Sequence, residues 1–271
     1  MYLEFYGLKE PPFTITPNPR FLFFSDKHRE AFNHLLYGIR ERKGFVQLTG
    51  EVGAGKTTLC RALLNELGPN YSTALILNPI LDADQLMRAI AVEFGLDVRG
   101  SDRLDILQEI NLFLLRQVDE GREVVLVIDE AQDLTHELLE QVRLLSNLET
   151  DDRKLLQIVL MGQPELRDRL NDPTLRQLRQ RITVRYHLSP LKRAEVGQYV
   201  QHRLSVSGAK GSPRFTMAAL WRVYCYSQGI PRLVNAVCDK CLLAGFVQQR
   251  GRIDYHLVGR AIRELEGTIS I

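Results

Sequence analysis

Gly50-Glu51-Val52-Gly53-Ala54-Gly55-Lys56-Thr57 is the stretch that decides the fold. It satisfies the spacing G-x-x-x-x-G-K-[ST] in full, and both flanks supply what that spacing needs. Ahead of it, Phe45-Val46-Gln47-Leu48-Thr49 reads as a short, largely apolar strand. Behind it, Thr57 to Leu67 (TTLCRALLNEL) carries the apolar spacing of a helix. Glycines at 50, 53 and 55 let consecutive backbone N–H groups turn inward around a phosphate, and the N-terminus of the following helix adds partial positive charge there. Lys56 is expected to reach the β- and γ-phosphates of a nucleoside triphosphate, and the Thr57 hydroxyl to ligate Mg²⁺. Glu51, Val52, Ala54 and Thr58 complete the expected phosphate-binding set.

Outward from the loop, the pattern alternates. Thr73 to Leu77 reads as a second buried strand, followed by helical stretches near 83–94 and 104–118. Val124 to Ile128 is continuously apolar, as a central parallel strand should be. A helix is expected over about 135–148, a fourth strand over Leu155 to Met161 and a fifth over Ile182 to His187. This alternation predicts an α/β core with a five-stranded parallel sheet. After Leu188-Ser189-Pro190 only helical spacing remains, over 192–206, 216–226, 231–248 and 254–265. The expected parse is therefore 1–190 as an N-terminal strap plus α/β phosphate-loop core, and 191–271 as an all-helical lid. The first 24 residues, rich in Pro and aromatics, predict an extended segment strapped to a surface, with Ser25 capping a helix from Asp26 to Arg42.

Composition excludes several classes. The longest apolar runs are strand-sized and too short to span a bilayer, and Glu4, Lys9 and two prolines interrupt any leader-like pattern, so a cytoplasmic location without direct membrane insertion is expected. A net charge of +2 gives no overall field that demands nucleic acid. Cys60, Cys225, Cys238 and Cys241 read as buried reduced thiols, because Cys238-x-x-Cys241 sits in a helical pattern with no second ligand pair to complete a zinc site.

The third strand ends in Asp129-Glu130. A carboxylate at a strand tip beside a phosphate loop can hold Mg²⁺ through its water shell, so Asp129 is the expected metal partner together with Thr57. Its neighbour Glu130 is then placed to polarise an attacking water. Strand four runs into Gly162-Gln163-Pro164-Glu165, which makes Gln163 the amide expected to orient that water. Arg176, Arg179 and Arg181 cluster before the last strand, and a guanidinium from a neighbouring subunit can neutralise a transferring phosphoryl group. Gly229-Ile230-Pro231-Arg232 opens a lid helix and projects Arg232 from its start, toward the γ-phosphate if the lid folds over the nucleotide. Asn78, after strand two, is a candidate for holding Glu130 aside until a partner binds.

Taken in order, the phosphate loop, Asp129-Glu130, Gln163, Arg181 and Gly229-Ile230-Pro231-Arg232 resemble the AAA+ ATPases, whose corresponding elements are Walker A, Walker B, sensor 1, arginine finger and sensor 2. The opening Tyr-Gly-Leu…Pro-Phe…Thr-Pro-Asn-Pro-Arg-Phe-Leu and Ser25…His28-Arg29-Glu30-Ala31 resemble the ExeA/GspA branch in particular. Gly-Glu-Val-Gly-Ala-Gly-Lys-Thr-Thr-Leu and Met-Gly-Gln-Pro-Glu-Leu do so as well. That resemblance implies ATP as the nucleotide, hydrolysis to ADP and phosphate that is slow in isolation, and assembly into a ring or filament with stimulation by self or partner. It also implies a membrane partner of the GspB/ExeB type and a role in assembling an envelope secretion machine (type II secretion), with this chain corresponding to the cytoplasmic domain of an inner-membrane protein. The alternative is a DNA-associated ATPase of the transposition-regulator type, for which Lys210, Arg214, Arg250 and Arg252 could form a lid patch. A nucleotide switch with little turnover is a third class, against which Glu130 argues.

Overall fold

A computed structural model describes residues 2–149 and 154–267. From the N-terminus the elements are α1 (Tyr2–Tyr6), α2 (Asp26–Arg40), β1 (Phe45–Gly50), α3 (Lys56–Leu67), β2 (Tyr71–Ile76), α4 (Ala83–Glu93) and α5 (Arg103–Asp119). There follow β3 (Glu123–Ile128), α6 (His136–Leu145), β4 (Leu156–Gly162), α7 (Pro164–Leu170), α8 (Arg176–Arg181) and β5 (Ile182–Leu188). The last elements are α9 (Arg193–Val206), β6 (Arg214–Phe215), α10 (Met217–Ser227), α11 (Pro231–Val247), β7 (Arg252–Ile253) and α12 (Tyr255–Leu265). They group into two compact units: a sheet unit of Arg29–Gly50 with Cys60–Leu188, and a helical unit of residues up to His28, Glu51–Leu59 and Ser189 onward.

In the sheet unit, the strands lie in the order β2-β3-β4-β1-β5, every neighbouring pair parallel. The central strand β4 and its neighbour β1 are buried along their whole length, because a parallel sheet carries helices on both faces. Along β3, Val124, Leu126 and Ile128 join one continuous core with Leu86, Ile90, Ile106, Ile110, Leu138 and Leu166 from the flanking helices. Parallel pairing brings all five carboxyl ends to one edge, so Gly50, Asp129 and Gln163 emerge side by side from β1, β3 and β4. Ligands of open α/β sheets collect at that edge.

The helical unit packs α9 to α12 around Val196, Val200, Val223, Val234, Val237, Cys238, Cys241, Leu242 and Val258, all buried. Among its described residues one parallel ladder interrupts the helices, in which Arg214 and Phe215 of β6 pair with Arg252 and Ile253 of β7. Two residues are too few to show a period, so sequence patterning could not reveal them. Cys225 is exposed, unlike the other three cysteines, which corrects the expectation that all four are buried thiols.

The N-terminal strap belongs to this helical unit, so the units divide differently from the parse expected at residue 190. Its first part is a helix, α1, where an extended chain was expected. The prolines begin only at Pro11, and a five-residue helix too short to persist alone is held by tertiary contacts. Tyr6 is buried and donates its hydroxyl to the carbonyls of Leu242 and Arg250 at 3.2 and 3.1 Å, while Tyr2 donates to Asp239 at 2.7 Å. Further on, the guanidinium of Arg203 on α9 donates to the carbonyls of Pro12 and Thr14 and stacks 4.7 Å from the Phe21 ring. A buried arginine is tolerated only when its donors find acceptors, and here the two strap carbonyls and the Tyr199 hydroxyl supply them.

Candidate active site

The phosphate loop keeps three glycines for three reasons. At Gly50 an added Cβ would stand 2.7 Å from the Leu188 carbonyl oxygen, so close approach to β5 excludes a side chain. Gly53 has φ +79° and an added Cβ would lie 2.5 Å from the Cβ of Arg232. Gly55 has φ +101° and would crowd the His28 imidazole at 3.2 Å. Both backbone angles are in the region that L side chains rarely adopt. Within the loop, the Glu51 carbonyl accepts the Ala54 N–H at 3.1 Å and the Lys56 ammonium at 3.2 Å. Ala54 and Lys56 are buried, and α3 starts at Lys56, with Thr57 and Thr58 half-buried in its first turn. Glu51 and Val52 are exposed.

Two residues from elsewhere in the helical unit hold this loop. Pro231 occupies the first turn of α11, and the following Arg232 N–H donates to the Gly53 carbonyl at 3.2 Å. The structure therefore brings Arg232 to the loop. The second residue, His28, was not singled out by sequence reasoning as part of the site. Its Nε2 lies 3.1 Å from the Ala54 carbonyl and its Nδ1 lies 2.7 Å from the Ser25 hydroxyl. Ser25 also accepts the His28 N–H at 3.3 Å, the capping contact expected for α2. Burial pulls the His28 pKa down, opposed by its contact with Ala54 and by the charge of Glu195.

At the sheet edge, Asp129 is buried and accepts the Glu130 N–H at 2.9 Å. Glu130 itself has φ 50° and ψ 37°, the left-handed conformation, which costs a non-glycine residue roughly 1–2 kcal/mol. Such strain persists only where the surroundings over-determine it. Here, two amides converge on one carboxylate oxygen of Glu130, from Gln132 at 2.9 Å and from Gln163 at 3.2 Å. The Gln132 side-chain oxygen in turn accepts the Gln163 N–H at 3.1 Å, closing a ring of three residues. Arg169 on α7 secures the same turn by donating to the carbonyls of Leu134, at 2.6 Å, and Gln132. Asn78, the residue expected to restrain Glu130, is exposed, and the amides that reach the Glu130 carboxylate are those of Gln132 and Gln163. The signal for Gln132 was its place two residues after Glu130, but only the left-handed turn makes that spacing a contact.

Arg181 turns inward and donates to the Ser146 hydroxyl at 2.6 Å. Arg179 is half-buried, with a 3.4 Å contact to the Asn171 carbonyl, and Arg176 at the start of α8 is exposed. Of the three arginines, Arg176 is thus the one most open to another molecule.

The donor set fits a nucleotide polyphosphate. It offers a buried ammonium, a helix N-terminus and a glycine turn that side chains would fill. Among the described residues, no group of three or more His, Cys, Asp or Glu side chains converges. Hydroxyl and carboxylate oxygens, as on Thr57 and on Asp129, are each ligand types that Mg²⁺ accepts.

Comparison with known proteins bears on the family and the fold. Residues 39–170 match the protein family described as AAA domain. General secretion pathway protein A of Aeromonas hydrophila is 48% identical over 98% of this chain. An AAA domain is thus present over residues 39–170 of this chain. The chain spans about half, 49%, of the length of that curated relative. Among solved structures, the ORC2 protein of Aeropyrum pernix in its ADPNP-ADP complexes is similar with TM-score 0.67 and 18% identity, over 91% of this chain and 68% of that one. A RuvB mutant of Thermotoga maritima is similar with TM-score 0.59 and 19% identity, over 89% of this chain and 70% of that one. These two likenesses concern the fold alone. No helix of the described residues is long and apolar enough to cross a membrane.

Proposed function

We propose that this protein binds ATP with Mg²⁺, hydrolyses it to ADP and phosphate, and couples turnover and self-association to assembly of an envelope secretion machine. The observation that carries the hydrolytic part is Glu130, a carboxylate at the carboxyl edge of the sheet held in place by two amides. Backbone strain of this kind clusters at functional sites, and a carboxylate there is a group able to take a proton from water. Bound Mg²⁺ would neutralise charge developing on the phosphates. Lys56 and the start of α3 bind the polyphosphate, while Thr57 and Asp129 are the chain's own candidates for the metal. Glu130 accepts a proton from the attacking water, and the Gln163 amide orients both partners. Arg232, whose backbone is fixed on Gly53, supplies positive charge from the lid. Positioning and electrostatics of this kind account for most of the acceleration in phosphoryl transfer.

Lys56→Ala should abolish tight ATP binding, while Glu130→Gln should bind ATP normally and turn it over far more slowly. Normal turnover by Glu130→Gln would remove Glu130 from the base role. An arginine acting in trans should make turnover per subunit rise with protein concentration. Mixing Arg176→Ala with Lys56→Ala should then restore activity that neither has alone, and the same mixture made with Arg181→Ala tests the inward-facing residue. Flat specific activity on dilution would remove the trans arginine altogether.

The secretion role rests on the relative of known name and on similarity that covers nearly all of this chain. A membrane partner of the GspB/ExeB type and a site of action at the cytoplasmic face of the inner membrane follow from the same likeness. The test is ATP turnover with and without duplex DNA at two salt concentrations. DNA-independent turnover supports the secretion reading, whereas strong stimulation that fades with salt would replace it with a DNA-loading role.

A further inference from the structure

We infer that His28 is a positioning residue of the phosphate loop: it holds the Ala54–Gly55 peptide so that the Gly55 N–H faces the nucleotide. The inference rests on the nucleotide-binding reading above and assigns a role to a residue far from the loop in sequence.

The argument starts from the proton inventory. A carbonyl oxygen only accepts, so the 3.1 Å contact between His28 Nε2 and the Ala54 oxygen requires the proton on Nε2. Neutral imidazole then has an acceptor at Nδ1, and the Ser25 hydroxyl 2.7 Å away donates to it. Ser25 still has lone pairs with which to accept the His28 N–H, so one hydroxyl caps α2 and fixes the tautomer together. His28 and Ser25 are both buried, and the neutral ring is the form that burial favours.

The next step is geometric. Among the described residues the cis peptide bond is Ser212–Pro213, so the Ala54–Gly55 bond is trans. In a planar trans peptide the C=O and the N–H point in opposite directions. Holding the Ala54 oxygen against His28 therefore aims the Gly55 N–H away from the imidazole. The preceding peptide, Gly53–Ala54, is held at both its polar groups: its carbonyl accepts the Arg232 N–H and its N–H donates to the Glu51 carbonyl. Without His28 the hold on the Ala54 oxygen is lost beside a glycine, where a flip meets little steric resistance. A flipped peptide would present a carbonyl dipole to a polyphosphate in place of an N–H.

The experiment titrates MgATP and MgADP by calorimetry into wild-type protein and into His28→Ala, His28→Gln, Ser25→Ala and Lys56→Ala. Thermal melts without nucleotide run in parallel. His28→Ala should weaken both nucleotides about tenfold, as expected for one lost ordered hydrogen-bond donor. His28→Gln should recover most of that affinity, because a neutral amide can donate to Ala54 while accepting from Ser25. Ser25→Ala should fall between them. Wild-type affinity in His28→Ala overturns the inference. So does equal weakness of His28→Ala and His28→Gln with matching loss of melting temperature, which would make the ring mere packing. Undiminished binding by Lys56→Ala is a separate outcome that would overturn the nucleotide site itself.

Discussion

In the phosphate loop the main chain carries the shape, whereas at the Glu130 turn side chains do. The loop's sharp conformations fall on Gly53 and Gly55, and its peptides are held by partners remote in sequence, His28 and Arg232. The Glu130 turn puts its left-handed conformation on a residue that must keep its carboxylate, and residues two and thirty-three positions on stabilise it. A backbone site should be intolerant of any added atom and indifferent to amide chemistry. A side-chain site should tolerate isosteric change in shape but respond to each donor removed.

The largest effect expected from this contrast is in the loop. Gly55→Ala adds a methyl group at φ +101° against His28, and Lys56→Ala removes the buried ammonium. Each should lower ATP affinity on the order of 100-fold or more in equilibrium titration. Retained affinity in Gly55→Ala would show that the loop is not shape-limited.

Next comes Glu130→Gln, which keeps the shape and the amide contacts but removes the base. Turnover should fall by roughly 10²–10⁴, the range for a general base, with ATP affinity unchanged. Loss of affinity in parallel would dissolve the distinction between the two regions.

Gln132→Ala should act more weakly. It frees one of the two tethers on Glu130 and should lower kcat by about tenfold, with the Gln163 contact still in place. Its Kd for ATP should not move. An unchanged kcat would leave Gln163 as the amide that matters.

The smallest effect concerns pH. His28 is held below its ordinary value of 6.5, so the unfolded chain takes up a proton at a pH where the folded one does not. Stability from this group is therefore complete above about pH 6.5 and is lost as pH falls through 6.5 toward the lowered folded value. His202 shifts in the same direction through burial and the charge of Arg203, and Glu195 partly opposes the shift at His28. Melts between pH 7.5 and 5.5 should show a shallower decline for His28→Gln than for wild type. Identical slopes would mean that His28 is not the titrating group.

Much of the fold could be read before any coordinates. The phosphate loop spacing, the continuous apolar run of Val124 to Ile128 and the switch to purely helical spacing after Pro190 each reflect local periodicity, and the five-stranded parallel sheet follows from them. Short elements were the ones missed. α1 and the β6–β7 ladder hold two to five residues each, and tertiary partners stabilise them in place of pattern.

At the candidate site, the sequence alone determined which chemical groups are present and in what order: Lys56, Thr57, Asp129, Glu130, Gln163 and Arg232 stand where motif spacing puts them. Tertiary structure decided which of these groups are restrained, and by what. Arg181 turns inward to Ser146, Gln132 reaches the Glu130 carboxylate, and His28 reaches Ala54. Motifs record bonds between neighbours in the chain, but a hydrogen bond depends on distance and direction in space, and those are set only when the elements pack.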